Sequence, residues 1–497
     1  MIRFIKKRFT APLFRKSDPS DDDVRIDLLW GDRVRVIDQT GTRWKVKARG
    51  ITGFVNPNHV GTRSLLELYI IDVGQGDGVF IRTPDDKHVL IDGGWPRKSQ
   101  PTGKNAADFV DWKFFRDYEM DAIELDAMIC THNDQDHYGG LWDMLDADQN
   151  EELDVDNVFV EDFYHAGLSW WRGTSDRTLG PSTSTSQGPM WTRLLDDRAS
   201  LENGLKTTGS DPKFQGEWAK FLRKVKGAKT RAGDPTPVTR LTHAAGDLPG
   251  FGAGSAVKMR VLAPVEFEVG GKPAIRKFSG GTSKNTNGNS VLLRIDFDKA
   301  RILLTGDLNT VSQQSLLKDY TGQHDEFTCD VAKACHHGSG DVSIRFLEAM
   351  EPTCTIISSG DSEGHDHPKP AIVAASGLTG HRKVKNDKLV TPLVYSTELA
   401  RSIALGKVNK LQRLNTQNAV ADEFTGTQMK RFRTKYKVTM AGARAPKSGQ
   451  SRVGSRRIAS KTTYGLINVR TDGKKIMCAA LNEKDFKWNV ESFDARF

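Results

Sequence analysis

The sequence predicts an α/β domain preceded by a small all-β module, and three observations support this. Short, almost continuous apolar runs such as residues 125–130 are typical of strands in a sheet covered on both faces. Two glycines and an apolar-periodic segment from Leu141 follow that run, which predicts a loop opening into a helix. Residues 24–62 alternate instead, as at Val34 and Val36, which predicts half-exposed strands.

Length and composition place the chain among globular proteins. Its 497 residues have room for two or three domains, and its 37% hydrophobic and 27% charged content argues against disorder. Because no run of eighteen apolar residues occurs, we expect no membrane span. The five cysteines are odd in number and lack Cys-x-x-Cys spacing, so we predict a reducing, cytoplasmic location without disulfide bonds.

The positive charge is concentrated near the C-terminus. The net charge is +9, and residues 401–497 contain 21 lysines and arginines against 7 aspartates and glutamates. We interpret this region as a basic extension that ends in a β-hairpin over residues 464–479, with an Asp-Gly turn. Its basic clusters at 430–437 and 452–461 predict a nucleic-acid partner, and a merely solvated basic tail is the alternative.

The domain prediction divides the chain into four parts. Residues 1–23 are a basic arm and linker, 24–63 the all-β module, 64–400 the α/β domain and 401–497 the extension. The module's Gly-Asp-x-Val-x-Val, Gly-x-x-Trp-x-x-Val and Gly-x-x-Gly-Phe-Val segments resemble bacterial SH3-type barrels. That resemblance implies either a site for a peptide or protein partner or a structural appendage, and the sequence leaves both open.

Residues 150–255 are predicted to be an insertion into the α/β domain, near the mouth of its site. This segment is rich in aromatic residues, which could stack on nucleic-acid bases or pack in a core, and core packing is the favoured reading. The aromatic residues are Phe159, Phe163, Tyr164, Trp170, Trp171 and Trp191.

A group of candidate metal ligands follows the apolar run at 125–130. Within six positions the chain carries His132, Asp134, Asp136 and His137, and then two glycines. Imidazole suits zinc, while carboxylate suits harder ions such as manganese, so the mixture indicates a hydrolytic metal centre. A polar surface turn is the alternative. However, four such residues at this spacing after a strand indicate a metal site far more specifically than a single His-x-Asp would.

Further histidines and aspartates end other strand-like runs: Asp92, Asp307, the pair His336 and His337, and the loop residues His365 and His367. Asp307 follows a glycine at a position suited to a carboxylate that bridges two metals. Because adjacent strand residues point to opposite faces, one histidine of the pair is expected to be a ligand and the other to face substrate or to support the ligands from behind.

Together these motifs resemble the metallo-β-lactamase superfamily. They are Asp92-Gly-Gly, His132-x-Asp134-x-Asp136-His137-x-Gly-Gly, Leu-Leu-Thr-Gly-Asp307, His336-His337-Gly-Ser and Gly364-His365-x-His367-Pro. The variant they most resemble is the hydrolase domain of ComEC-type competence proteins, which are DNA-uptake channels. The resemblance covers about residues 65–380 and implies an αββα sandwich, two packed sheets with helices outside and metals at one end.

The resemblance also implies two divalent ions, Zn²⁺ or Mn²⁺, and a role for each ligand. His132 and Asp134 would hold one ion, Asp136 and His137 the other, Asp307 would bridge them and His337 would complete the second site. Asp92 would orient the ligating imidazoles by hydrogen bonding. Asn289 stands where the superfamily carries a strand-borne histidine, so it is predicted to lie just behind the ligands.

The resulting hypothesis is two-metal hydrolysis of a phosphodiester, by a nuclease or phosphodiesterase acting on DNA or another polyanion. Its catalytic residues would be Asp136, His336, His365 and His367. Either His336 or the pair His365 and His367 would bind phosphate and protonate the leaving oxygen. One alternative is a hydrolase of small esters, lactones or phosphocholine-type groups. Another is a non-catalytic module that binds partners through its SH3-like and basic parts.

Overall fold

The fold is known from a computed structural model. It describes residues 1–100, 103–146, 152–359, 367–397, 404–417, 419–429, 431–438, 447–452, 457–460, 466–482 and 487–497. Two large sheets pack face to face with helices on their outer sides, behind a small antiparallel N-terminal sheet. The predicted fold class, an αββα sandwich preceded by a small all-β domain, is confirmed.

The first large sheet has nine strands. Their order is Val238–Arg240, Phe163–His165, Ala127–Cys130, His88–Ile91, Val79–Arg82, Leu66–Ile70, Ile467–Thr471, Lys475–Asn482 and Lys487–Asp494. The second large sheet has six strands. Their order is Lys258–Ala263, Leu292–Phe297, Ala300–Leu304, Val331–Lys333, Cys354–Ile357 and Leu393–Ser396. In each sheet, neighbouring parallel strands bring their carboxyl ends to one edge.

The sandwich core lies between these sheets. Leu68, Ile81 and Ile129 of the nine-stranded sheet pack with Leu293 and Ile302 of the six-stranded sheet, all of them buried. Because both faces of each sheet are covered, the strands are apolar along almost their whole length rather than alternating.

Helices cover the two outer faces of the sandwich. On the nine-stranded side they are Ala106–Trp112 continued by Lys113–Tyr118, Gln135–Leu145, Arg198–Leu205 and Gly216–Gly227. On the six-stranded side they are Thr310–Asp319, Ile344–Met350 and Pro370–Thr379. Two shorter helices are Thr282–Gly288 and Gly426–Met429, and single helical turns lie at Pro57–His59, Arg97–Ser99, His243–Ala245, His324–Glu326 and Cys335–Gly338.

Smaller sheets decorate the sandwich. A four-stranded sheet contains Ser182–Thr185, Gly188–Trp191, Lys272–Arg276 and Glu266–Val269. The two-stranded pairs are Ala122–Leu125 with Asn157–Val160, Trp171–Arg172 with Arg177–Thr178, Lys383–Lys385 with Lys388–Thr391, Ala404–Lys407 with Arg457–Ser460, Lys410–Leu414 with Val420–Thr425, and Arg433–Val438 with Lys447–Arg452.

The N-terminal sheet corrects the predicted arm and linker at 1–23. Its seven antiparallel strands, in order, are Val24–Leu29, Thr10–Phe14, Ile51–Val55, Trp44–Ala48, Arg33–Asp38, Ile2–Ile5 and Val60–Gly61. Ile5, Ala11 and Leu13 are buried in its core, so the segment is a structural part of the sheet. The basic residues between the apolar ones concealed this from the sequence. The resemblance to SH3-type barrels remains a prediction.

Two other predicted boundaries also change. Residues 150–255 are not a separate insertion, because Phe163–His165 and Val238–Arg240 are strands of the nine-stranded sheet. The C-terminal hairpin, Ile467–Thr471 with Lys475–Asn482, pairs with Leu66–Ile70 and so belongs to the sandwich rather than to an extension. The basic stretch at 401–460 therefore lies between two elements of the same domain. Such long-range pairings leave no local sequence pattern.

The described residues contain no helix long and apolar enough to cross a membrane. All five cysteines are buried and unpaired, in agreement with the absence of a disulfide framework.

A buried ion pair joins the N-terminal sheet to the sandwich. Arg470 Nη1 lies 2.7 Å from Asp32 Oδ1, and Arg49 Nη2 lies 2.8 Å from Asp32 Oδ2. Arg470 also donates to the Trp30 carbonyl at 2.9 Å, and both Asp32 and Arg470 are buried. Because an unpaired buried charge is costly, this pair fixes how the two units dock.

We predict that Asp32→Ala lowers the free energy of unfolding by about 3–5 kcal/mol, because it leaves Arg470 buried without its counter-charge. Urea denaturation measures the change. The matched control is Asp23→Ala, which removes an exposed pair with Arg15 and should cost less than about 1 kcal/mol. Equal losses in the two variants would contradict the docking role.

The same ion pair predicts that the free energy of unfolding depends on pH. Burial opposes ionisation of Asp32, but Arg470 and Arg49 outweigh it and lower the pKa of this carboxyl below its usual value. Its stabilising contribution is therefore complete above the unfolded-state pKa of about 4 and is lost as the pH falls through the folded-state pKa. The difference in unfolding free energy between wild type and Asp32→Asn should be constant from pH 5 to 7 and shrink below about pH 4. A constant difference down to pH 2 would contradict the pairing.

Candidate metal centre

The predicted ligands meet at one edge of the sandwich. Asp92 and His132 lie just after parallel strands of the nine-stranded sheet, and Asp307 and His337 lie in the segments that follow parallel strands of the six-stranded sheet. Since carboxyl ends of parallel strands lie on one side of a sheet, and the two sheets pack face to face, these residues converge although they are far apart in sequence.

The two glycines after His137 allow the helix Gln135–Leu145 to lie against the loop that carries Asp92. The Gly93 amide donates to the His137 carbonyl at 2.7 Å, and the Gly140 amide donates to the Gly94 carbonyl at 3.0 Å. A Cβ on Gly140 would lie only 2.1 Å from the Gly93 carbonyl oxygen. Close backbone contact therefore explains the glycines, and it brings His137 beside Asp92.

Asp307 lies at the centre of the cluster. Its Oδ2 is 3.2 Å from Nε2 of His137 and 2.9 Å from Nε2 of His337. His132, His137 and Asp307 form one group with ligand atoms within 4.8 Å of one another, and Asp136, His137 and His337 form a second. The two groups share His137, whereas the sequence assigns it to one ion only. Five of the six predicted ligands thus belong to one or both of these two groups.

The donor atoms fit a divalent ion. Nδ1 of His137 lies 2.8 Å from Asp92 Oδ2, which leaves Nε2 of the same ring to face Asp307 Oδ2 at 3.2 Å. Among the described residues, Nε2 of His132 has no hydrogen-bond partner although it is buried. Two ligands each about 2.1 Å from one zinc ion are about 3–3.5 Å apart, close to the separations found. A shared cation would satisfy all of these atoms at once.

The pKa shifts of these side chains also indicate that the cluster favours positive charge close to Asp307. Burial opposes protonation of His337, but Asp307 and Asp77 raise its pKa to about 9. Burial likewise opposes the ionised form of Asp307, yet His337 and His137 lower the pKa of this carboxyl well below its usual range. Burial and then the neighbouring His137 keep the pKa of His132 well below normal, so its ring stays in the neutral, metal-binding form.

Asp77 and Lys333 are parts of the site that the sequence did not assign. Asp77 Oδ1 lies 3.1 Å from Nδ1 of His337, as Asp92 lies beside His137, and its carboxylate also pairs with the Lys333 ammonium. Lys333 donates to the Gly306 carbonyl at 3.0 Å and lies 3.8 Å from Asp307 Oδ1. A carboxylate behind each ring fixes its orientation. In the sequence, the only indication that Asp77 belongs to the site was its position in a Gly-Asp-Gly segment after a strand-like run.

Asp134 lies on the outer side of the cluster. Its Oδ2 is 3.8 Å from Nε2 of His132 and accepts a hydrogen bond from the Thr286 hydroxyl at 3.0 Å. Burial and the nearby Asp136 raise its pKa to about 7. Its assignment as a ligand stays a prediction.

Ser290, rather than Asn289, occupies the position just behind the ligands that was predicted for Asn289. Asn289 ends the helix Thr282–Gly288, and its side-chain amide donates to the carbonyls of Arg276 and Asn285 rather than to a predicted ligand. Ser290 Oγ instead lies 3.3 Å from Nδ1 of His132 and accepts from the Asp307 amide at 3.1 Å. The prediction was wrong by one residue, because the helix end turns Asn289 away.

A cavity of about 450 Å³ opens beside the cluster. Asp134, Asp136, Asp307, His336 and His367 line it. His336 is partly exposed there, and burial of the rest of its ring lowers its pKa, so the imidazole is neutral near pH 7.

Two polar side chains support the residues that line the cavity. The side-chain oxygen of Asn287 accepts from Nε2 of His336 at 3.3 Å. Its side-chain nitrogen donates to Asp134 Oδ2 at 2.9 Å. Gln75, which the sequence also left without a role, donates to Asp136 Oδ2 at 3.1 Å. His365, a predicted catalytic residue, lies outside the described residues.

Comparison with known proteins agrees with this geometry. Residues 71–255 match the sequence profile of the metallo-beta-lactamase superfamily. The chain is 22% identical over 333 residues to ComE operon protein 3 of Bacillus subtilis (strain 168), covering 65% of this chain and 32% of that protein. It is 37% identical over 96 residues to competence protein ComA of Neisseria gonorrhoeae, covering 18% of this chain and 14% of that protein. The chain thus spans about a third of the first relative and about a seventh of the second.

Among solved structures, one titled a metal-dependent hydrolase of the beta-lactamase superfamily is 10% identical. The match covers 62% of this chain and 91% of that one with a TM-score of 0.29, too low to add to the assignment. The family match and the buried ligand groups agree with each other. Residues 71–255 therefore match the metallo-β-lactamase superfamily, and the chain is similar in sequence to part of the competence proteins.

Proposed function

We propose that this chain is a metal-dependent phosphodiesterase that cleaves nucleic acid. The observation that carries the proposal is the buried carboxylate and imidazole cluster around Asp307, which opens onto a polar cavity rather than a closed interior. A closed structural site would have no face for substrate, whereas a hydrolytic site needs one.

The chemistry of the donors supports two divalent ions, Zn²⁺ or Mn²⁺. The two groups of close ligand atoms contain both imidazoles and carboxylates, a set that borderline and harder ions both accept. Such a pair of ions supplies Lewis acidity and activates water for attack on phosphorus. His132, His137, Asp136, His337 and Asp307 would hold the ions.

The chain's own side chains would position the ligands and the substrate. Asp92 and Asp77 hold the rings of His137 and His337 through Nδ1, which leaves each Nε2 for an ion. His336 and His367 lie on the cavity wall, where an imidazole N–H can donate to a phosphate oxygen or to the leaving oxygen.

The basic stretch at 401–460 supports nucleic acid as the substrate. It carries 14 lysines and arginines against 2 acidic residues, and it lies between two strands of the domain that holds the metal centre. A polyanion bound there would gain from release of counter-ions, without sequence readout. Binding should therefore weaken steeply with salt.

The proposal is tested with purified, metal-analysed protein on single-stranded DNA, double-stranded DNA, RNA, bis(p-nitrophenyl) phosphate and the neutral ester p-nitrophenyl acetate. We expect phosphodiester cleavage that requires added Mn²⁺ or Zn²⁺ and that EDTA abolishes. Cleavage of the ester alone would replace the proposal with a carboxylic ester hydrolase.

Asp307→Asn should lower cleavage of bis(p-nitrophenyl) phosphate by at least about a hundredfold and reduce the bound metal, because it removes the carboxylate that faces both His137 and His337. Rates and metal content per chain are measured on the same samples. The matched control is Asp325→Asn, an exposed aspartate in the following segment, which should leave both unchanged. Full activity of Asp307→Asn would exclude this centre as the catalytic one.

A further inference from the structure

An arginine that the proposed mechanism does not use lies at the mouth of the cavity. Arg177 belongs to the short ribbon of Trp171–Arg172 and Arg177–Thr178, and it lines the cavity together with Trp170. Its guanidinium lies over the Trp170 ring, 3.9 Å from the ring centroid. Stacking on an aromatic face holds a guanidinium plane in place while its N–H groups stay available.

The ring under Arg177 is itself fixed to the metal-binding loop. Trp170 is buried, and its indole N–H donates at 3.0 Å to the carbonyl of Asn133, the residue after His132. The position of the guanidinium is therefore coupled to the loop that carries the ligands, through one hydrogen bond and one stacked pair. A surface arginine without such a support would spread over many rotamers.

The guanidinium has no ion-pair partner among the residues that the structure describes, although Asp134, Asp136 and Glu217 also line the cavity. Glu217 pairs instead with Lys220, and Asp136 accepts from Gln75. Arg177 is exposed to solvent. An exposed positive charge is thus held at the entrance of an acid-lined cavity without being neutralised by it.

We propose that Arg177, supported by Trp170, is an anchoring residue for a phosphate group of the substrate. The inference rests on the proposed phosphodiesterase function and names the element that selects a phosphorylated polymer over a neutral ester. The guanidinium fork matches two phosphate oxygens, and a charge-assisted pair of hydrogen bonds is the strong form of this contact. Arg177 belongs to neither candidate ligand group, so we expect it to act on binding rather than on chemistry.

The test measures KM and kcat of the full chain, loaded with Mn²⁺, on fluorescently labelled single-stranded hexathymidylate and on p-nitrophenyl acetate. Arg177→Gln should raise KM for hexathymidylate about tenfold, equivalent to about 1.4 kcal/mol, with kcat within about twofold. Arg177→Lys should recover part of the loss, because it keeps the charge but not the planar fork. The slope of log KM against log salt should fall by about one in Arg177→Gln.

Arg172→Gln is the matched control. Arg172 lies opposite Arg177 in the strand register of the ribbon. It is exposed and is not among the residues lining the cavity. The KM of Arg172→Gln for hexathymidylate should equal that of the wild type. If the chain turns over p-nitrophenyl acetate, the KM for that ester should be the same in the wild type and in every variant.

The possible failures are distinguishable. If the wild type cleaves hexathymidylate and Arg177→Gln keeps its KM within twofold, the anchor is overturned while the proposed function stands. A fall in kcat at unchanged KM would also contradict an anchoring role. If the wild type cleaves no phosphodiester at all, the proposed function fails, and the anchor fails with it.

Discussion

The structure depends on one electrostatic constraint, which is the burial of the Asp307 carboxylate where two sheets meet. Burying an ionised carboxylate is unfavourable unless positive charge lies close to it. Here the nearest groups are Nε2 of His137 and Nε2 of His337, at 3.2 and 2.9 Å. His137 lies in the helix Gln135–Leu145 beside the nine-stranded sheet, and His337 lies in the turn Cys335–Gly338 beside the six-stranded sheet. The sandwich must therefore close before the charge can be balanced. Fold and metal centre are therefore coupled, and a bound divalent ion should stabilise both.

Orientation of the rings is the second requirement, and it accounts for residues that touch no ion. Asp92 and Asp77 each lie behind one imidazole, so both rings turn Nε2 toward Asp307. Asp92, His336 and His337 all have positive φ, at 56°, 47° and 53°, a conformation that is unfavourable for residues with side chains. Such backbone strain is tolerated where the surrounding structure fixes it, and at this edge it aims the polar groups at a common point.

The sequence predicted the parts of this arrangement that are local and missed those that depend on distant contacts. His132 to His137 form a compact motif directly after a strand, so their role could be inferred from spacing. Asp77 had only its Gly-Asp-Gly context as a signal, because its partners His337 and Lys333 are far away in sequence, on the six-stranded side of the sandwich. Arg177 has no motif at all, and only the fold brings it to the cavity. The C-terminal hairpin was visible from its Asp-Gly turn, but nothing in it indicates which strand it joins, and that pairing was decided by tertiary packing.

The central claim is that this edge of the sandwich binds divalent ions between side chains of both sheets. Anomalous diffraction from crystals grown with Mn²⁺ or Zn²⁺, recorded on both sides of the absorption edge, tests it most directly. The account predicts anomalous peaks within coordination distance of Asp307 and of Nε2 of His137 and His337. Ions bound only elsewhere, or no peak at this cluster at saturating metal, would contradict it.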